Sequence, residues 1–326
     1  MNNYYTERKT IKYSLSIDSL FRENYNNTVS TNFVYTLPEP INKVTSMKLT
    51  GIEFFNSIYT FSSQNNSNQF IITLYNCPTP SDIVDSSYGS VLTNIVVIPD
   101  GNYRADLLIT TINNIFSNTR NGLEYIYFDI NEFDTKCIFR TKLVGDDGRD
   151  LYLNESLPPE FYFTVDFRGV GRSTSALYNN AGWTLGFRTP FYTVMRDSPV
   201  VTINDVVPFK TNTYNWFLKS ESSYGSTVQN YIFLEVNDFN SNFTSNIYLS
   251  KSNNDSYLQN NILDRISMTS GMNTIITMSD QTRLHREYFS PVRLETLHIR
   301  LVDKYGNTVN FNGNDISLSL EIEQLY

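Results

Sequence analysis

The C-terminal run Arg286–Glu323 constrains the fold most, because it contains two long stretches of alternating polarity. Val292–Val302 alternates between two faces, and Ile316–Ile322 alternates again with its apolar residues on one side. This period of two residues is typical of β-strands. Residues 303–307 between them read DKYGN, and Gly and Asn tolerate the positive φ of tight turns. The run therefore predicts two strands that close a β-sandwich or barrel, with no catalytic signature beside them.

The same alternation recurs along the chain and predicts roughly fifteen strands but one clear helix. That helix is predicted over Asn102–Phe116, with Asn102 as its N-cap and apolar residues at a spacing of three to four. A parallel sheet would need many crossover helices. We therefore predict an all-β fold, a jelly-roll β-sandwich with an inserted α+β segment.

Proline and glycine breaks give the predicted organisation. A strand over Asn32–Leu37 is predicted to stop at Pro38 and Pro40, because proline cannot donate to a ladder. Breaks at Pro99 and Pro190 bound the α+β segment. The predicted division is an N-terminal arm (1–9), first jelly-roll strands (10–98), the inserted segment (99–190) and second jelly-roll strands (191–326). The polar arm is expected to become ordered only on a neighbour.

Composition excludes several classes of protein. The 33 acidic and 25 basic residues give a net charge of −8 without a basic run, so we expect no nucleic-acid partner. No window approaches the ~20 apolar residues of a membrane span, and the N-terminal residues lack a signal peptide's apolar stretch. Cys77 and Cys137 are isolated, which indicates neither a disulfide framework nor a zinc site, although a chance pairing stays open.

Residues that could support catalysis are few. Only His285 and His298 could serve a Ser-His-Asp triad, and no G-x-S-x-G or H-E-x-x-H motif accompanies them. We interpret His298 as a sheet residue. His285 belongs to a charged cluster, residues 283–287, which is either a structural ion-pair network or a contact to a charged partner. The prediction is no enzyme, no catalytic or metal-binding residue and no cofactor, although a distant carboxylate pair stays open.

Three further segments have weak ligand-binding patterns. Residues 146–150 (DDGRD) resemble a calcium loop only loosely, and residues 169–174 (GVGRST) lack the lysine of a phosphate loop, so both are interpreted as turns. Trp183 and Trp216 could stack on a sugar, but Trp183 lies in an apolar segment and is predicted to be a core residue.

Five segments, in order, resemble a capsid-associated family of nucleocytoplasmic large DNA viruses and their smaller relatives. They cover both ends and the middle of the chain, and Ser290 stands where the family's last motif has glycine. The segments are YSLSIDSLFR (13–22), FVYTLPEPINKVTSMKLTGIEFFNSIYTFS (33–62), IPDGNYRADLLITTINNIF (98–116), GWTLGFR (182–188) and REYFSPVRLETLHIRLVDKYGNTVNFN (286–312).

The resemblance implies a penton or other minor capsid protein, a jelly roll that forms pentamers at the vertices of an icosahedral, giant-virus type of capsid. The implied partners are further copies of the chain, the major capsid protein and other capsid proteins. The implied location is the virion, after synthesis in the host cytoplasm. The alternatives are another minor capsid protein or a receptor- or glycan-binding fibre-type β domain, and a polysaccharide-active enzyme is a further rival.

Overall fold

The computed structural model describes nine stretches of the chain, which form two compact units. One unit comprises Met1–Ile58 and Gln229–Tyr326, and the other comprises Tyr59–Val228. Residues 1–8 of the predicted arm and the predicted strands 200–206 and 246–249 lie outside the described residues. The described residues are 9–75, 91–141, 161–168, 180–194, 217–225, 230–243, 261–268, 273–279 and 285–326.

Antiparallel strands dominate both units, and α1 (Ala105–Thr119) and α2 (Ala181–Thr184) are the helices of the described residues. The strands are β1 (Thr10–Asp18), β2 (Asn32–Phe55), β3 (Gln69–Tyr75), β4 (Leu92–Val97), β5 (Ile126–Ile130), β6 (Lys136–Thr141), β7 (Tyr162–Asp166), β8 (Phe191–Val194), β9 (Phe217–Ser223), β10 (Tyr231–Asn237), β11 (Ile262–Ser267), β12 (Ile275–Ser279), β13 (Arg286–Val302) and β14 (Ile316–Leu325).

The strand order of the first unit is that of a jelly roll. The second half of β2 pairs with β14 and β12, and β1 pairs with β14. The first half of β2 pairs with β13, which pairs with β10, and β10 pairs with β11. Counting the halves of β2 separately, the eight described strands form sheets of chain order 1-8-3-6 and 2-7-4-5. This order confirms the predicted jelly-roll fold class.

The two sheets join because β2 continues through a bend, with β13 beside it. Thr36 pairs with Thr296 and Ile41 with Leu294, so residues 37–40 of β2 lie opposite residue 295 alone. Pro38 and Pro40 fall in this irregularity, where no N–H is required. The prediction that these prolines end the strand was therefore wrong.

The bend also exchanges the buried face of β13. Val292 and Leu294 are buried before the irregularity, whereas Leu297, Ile299 and Leu301 are buried after it. A bulge inserts an odd number of residues into the alternation, and side chains beyond it change sides. All five residues therefore contribute to one apolar core together with β2, β10 and β14.

The second unit has its own aromatic core between two small sheets. The sheets have the orders β4-β3-β7-β8 and β5-β6-β9, and Phe70, Phe139 and Phe167 are fully buried in the core that both contribute to. Helix α1 buries Leu108, Ile112 and Phe116 in this core. The helix begins later than predicted, because the side chain of Asn102 accepts hydrogen bonds from Thr60 instead of capping it.

The second unit is larger than the predicted insertion, whose boundaries at residues 99 and 190 lie inside it. Strands β3 and β4, which the sequence analysis assigned to the jelly roll, belong to this unit because β3 pairs with β7, Ile72 opposite Val165. Alternation identifies a strand but not the sheet that it joins, since pairing partners lie far apart in the chain.

We predict that Gly186→Ala destabilises the second unit far more than Gly225→Ala. Both glycines have positive φ, +92° and +72°, which costs alanine about 1–2 kcal/mol. A Cβ at Gly186 would also collide with the backbone carbonyl of Ser222, whereas Gly225 faces open space. The collision adds about 1–3 kcal/mol in urea unfolding. Equal losses in the two variants would contradict the collision.

Candidate functional site

The connection between β1 and β2 is held by one carboxylate. Asp315 accepts a hydrogen bond of 2.8 Å from the Ser19 hydroxyl and one of 2.7 Å from the Arg22 guanidinium. The Arg22 side chain is only 6% exposed. The Tyr25 hydroxyl donates to the second oxygen of Asp315. The side chains at 19, 22 and 25 of the sequence segment SLFRENY therefore converge on the residue that precedes β14.

Arg22 also orders the backbone of the connection. Its guanidinium donates to the carbonyls of Ser19, Tyr25 and Thr28 and lies 3.9 Å from the centroid of the Tyr25 ring. A buried arginine with this many partners fixes a connection that has only two short 3-10 turns of its own. The connection is consequently a rigid surface of the jelly roll.

This rigid connection presents apolar side chains to solvent. Phe21 is 77% exposed, Val29 55%, Leu20 51% and Tyr25 41%. We call these four residues the connection patch. Single exposed apolar residues are ordinary, but four within ten residues of one fixed connection make it a candidate interaction surface.

A second buried polar cluster closes the opposite end of the same unit. The Arg286 guanidinium lies 3.0 Å from the Asp238 carboxylate, and their side chains are 2% and 0% exposed. The Tyr288 hydroxyl donates to the same carboxylate, and burial raises the pKa of Tyr288 well above its usual range. Arg286 donates to the Asn261 carbonyl and stacks 4.2 Å from the Phe243 ring. The cluster fixes residues 238–243 against β13.

Two exposed phenylalanines flank this cluster. Phe289 is 77% exposed and Phe239 is 66% exposed. Phe239 has a φ of 62°, a left-handed conformation that costs a bulky residue of order 1–3 kcal/mol. Burial selects phenylalanine at neither position, and backbone preference disfavours it at Phe239, so this end is also a candidate contact surface.

We predict that Asp238→Asn strongly destabilises the jelly roll. The variant leaves the buried Arg286 charge without its counter-charge, which typically costs about 3–5 kcal/mol. Glu287→Gln is the matched control, because its carboxylate is 63% exposed and lies 2.7 Å from another exposed side chain, that of His285. That change should cost less than about 1 kcal/mol. Urea unfolding measures both, and a loss for Asp238→Asn as small as the control's would contradict the prediction.

The two histidines are placed apart, one before β13 and one within it. His285 lies 2.7 Å from the Glu287 carboxylate, and His298 lies 2.7 Å from the amide oxygen of Asn32 across the sheet. Burial, helped by the neighbouring Arg300, lowers the pKa of His298 below its usual value. The interpretation of His298 as a sheet residue agrees with this geometry, and the cluster at 285–287 contains a buried ion pair, Arg286 with Asp238, and an exposed contact between His285 and Glu287.

We predict that His298 makes the jelly roll less stable in mild acid. Its folded-state pKa is lowered, so the unfolded chain binds the proton more readily. The stability is present above the unfolded pKa near 6.5 and is lost as pH falls through the folded pKa. His298→Gln cannot titrate, so the stability of the wild type relative to this variant should fall between pH 7.5 and 5. A rise in that difference would contradict the prediction.

The motifs of the second unit also build structure. Asp100 accepts hydrogen bonds from Ser63 and Asn68, which ties the turn after β4 to the turn before β3. Trp183, predicted to be a core residue, is only half-buried and carries the Arg188 guanidinium 4.1 Å from its ring. Trp216 lies outside the described residues.

The other candidates contribute no ligand site to the described part of the chain. Cys137 is a free, buried thiol whose pKa is raised well above its usual value by burial and by Asp129. Cys77 and the segments 146–150 and 169–174 lie outside the described residues. Among the described residues, no three His, Cys, Asp or Glu side chains are grouped as metal ligands. No helix among the described residues is long and apolar enough to span a membrane.

Sequence reasoning missed the residues that complete both clusters. Asp315 and Asp238 lie in polar connections, where an aspartate gives no local signal of burial. The apolar pair Leu20-Phe21 inside a polar connection was the available signal for the connection patch, because polar connections seldom carry adjacent large apolar residues.

The first unit is therefore a jelly roll whose two ends are fixed by buried ion pairs and whose first connection exposes apolar residues. Two solved structures are similar to nearly the whole chain. The crystal structure of the mavirus penton protein is 10% identical, with a TM-score of 0.46, over 96% of this chain and 99% of that chain. A chain in the 3.5 Å cryo-EM structure of the Sputnik virophage is 13% identical, with a TM-score of 0.39, over 98% of each chain.

At these identities and scores neither structure decides the fold, which rests on the strand order. No protein-family model matches the chain. No curated protein matches it.

Proposed function

We propose that this chain is a structural virion protein, a penton-type component of the vertices of an icosahedral DNA-virus capsid. The observation that carries the proposal is the jelly-roll strand order 1-8-3-6 and 2-7-4-5, with the second unit inserted between its third and fourth strands. Because a fold alone does not define a function, the proposal also needs the sequence motifs.

The motifs that resemble the capsid family occupy structural positions in this fold. Arg22 of the first motif and Arg286 of the last are the buried cations of the two clusters that fix the ends of the jelly roll. Pro38 and Pro40 of the second motif lie in the bend of β2. The resemblance therefore falls on residues that shape the jelly roll, which supports transfer of the family's architectural role.

The physics of a ring agrees with this role. Five copies around an axis make a heterologous contact, in which one side of each copy meets a different side of the next. The net charge of −8 per copy opposes self-association, so apolar contacts have to drive it. The connection patch supplies such a surface.

We further propose a structural, non-enzymatic role in the virion after synthesis in the host cytoplasm. The major capsid protein and other capsid proteins are the proposed partners besides further copies, and neither nucleic acid nor a metal is proposed as a ligand. His298 supports this assignment, since its imidazole bonds to the amide oxygen of Asn32 across the sheet.

We predict that the purified chain forms a closed ring of five copies. Light scattering after size exclusion should give the mass of five chains, and electron microscopy should show five-fold rings. Screening of the like charges by salt should raise the assembled fraction slightly. A stable trimer would favour the fibre-type alternative, and labelling of virions away from the five-fold vertices would favour another minor capsid protein.

A further inference from the structure

Strands β1 and β12 form the two edges of one jelly-roll sheet. In the described part of the chain, β1 pairs only with β14 and β12 pairs only with β2. An edge strand exposes unpaired backbone groups, which proteins usually protect with charges, prolines or bulges. The composition of these two edges therefore indicates whether they stay exposed in the working protein.

Both edges carry little protection. The nine residues of β1 include one lysine, Lys12, and its charge is bonded to Glu321 on the neighbouring strand at 2.9 Å. At the end of β1, the Asp18 side chain accepts from the backbone N–H of Leu20. The residues of β12, IITMS, include neither charge nor proline, and Ile275 is 68% exposed. Such edges are suited to contact with another protein surface.

The two edges place apolar residues at the same level of the sheet. Asp18 pairs with Ser317, Ser317 with Glu53, and Glu53 with Thr277, which defines one row across all four strands. The connection patch begins two residues beyond this row on the β1 side. Ile275 lies two residues beyond it on the β12 side, towards the same end of the sheet. If a second copy is related to the first by rotation about an axis parallel to the strands, its Ile275 lies at the same level along that axis as the connection patch of the first copy.

Apolar exposure is concentrated on the β1 side. Among the described residues of this unit, eleven large hydrophobic residues are exposed, and seven of these lie in residues 11–34. The connection patch alone exposes about 400 Å², taking roughly 150–250 Å² for each full-sized side chain. A standard interface buries about 800 Å² per partner, a little over half of it apolar. The patch is thus large enough to be the apolar centre of one interface.

From these observations we infer that the occupant of the connection patch is the β12 edge of a second copy of this chain, with Phe21 and Ile275 facing each other across the contact. The contact joins two different edges, so it leaves a free patch and a free β12 edge for the next copies. This inference rests on the proposed self-assembly and identifies the surfaces that produce it.

Three single variants of the full chain test the contact. Phe21→Asp and Ile275→Asp each place a charge in the contact, and each should raise the concentration for half-assembly by about tenfold or more. Phe133→Asp is the matched control, because Phe133 is 87% exposed in the β5–β6 turn of the other unit; its assembly should change less than about twofold. Circular dichroism and thermal unfolding confirm that all three variants remain folded.

Mixing the two interface variants tests whether the connection patch of one copy contacts the β12 edge of another. The Ile275→Asp copy keeps an intact patch and the Phe21→Asp copy keeps an intact β12 edge, so one good contact forms between them. The mixture should give a dimer with one copy of each variant, although neither variant assembles alone. Native mass spectrometry with one copy isotope-labelled distinguishes this mixed dimer from self-pairs.

Each other outcome is decisive. If only Phe21→Asp weakens assembly, the patch pairs with itself or with another surface and the inference is wrong. If the wild type forms rings that neither variant weakens, the inference fails while the penton proposal stands. If both variants disrupt a wild-type trimer, the contact is correct and the pentamer is wrong. A wild type that stays monomeric at every concentration overturns both.

Discussion

A single β-strand can belong to two sheets only if its ladder is interrupted where it turns, and the jelly roll of this protein depends on that interruption. The bend of β2 at residues 37–40 lets its first half pair with β13 alone, whereas its second half pairs with β14 and β12 and keeps β13 beside it only as far as Met47. Two prolines occupy the residues that have no partner opposite them, so the fold loses no ladder hydrogen bond there. The sheet order and the common apolar core both follow from this bend.

The buried ion pairs fix the connections between strands, which the bend of β2 does not determine. Burying Arg22 or Arg286 requires full compensation, because an unpaired buried charge is far more costly than a buried pair is favourable. Each arginine has one carboxylate and at least one backbone carbonyl as partners, and in both clusters the carboxylate comes from a chain segment distant in sequence. The clusters therefore admit one arrangement of the connections. They also explain why arginine occurs in both terminal motifs.

The amino-acid sequence predicted the elements better than their pairing. Alternation found β1, β3 and the C-terminal strands within a few residues, because apolar residues recur at every second position in each. It could not assign β3 and β4 to the second unit, since β7, which pairs with β3, follows β3 after more than eighty residues. The prolines wrongly predicted a strand end at Pro38. A missing N–H interrupts a ladder only where a partner residue lies opposite it, and the sequence does not show where that is. Burial of Asp238 and exposure of Phe21 depend on distant segments, so no local pattern reveals them.

The order of the strands along the chain determines when this protein can fold. Strands β1 and β2 leave the ribosome before β13 and β14, the strands that pair with them. Thr10, for example, cannot pair with Leu325 until Leu325 has been synthesised. Roughly 170 residues of the second unit come between. At about 5–20 residues per second, the first strands remain uncovered for on the order of ten seconds or more. The second unit is continuous in sequence and can close meanwhile, so nascent chains should need chaperones mainly for their first 58 residues.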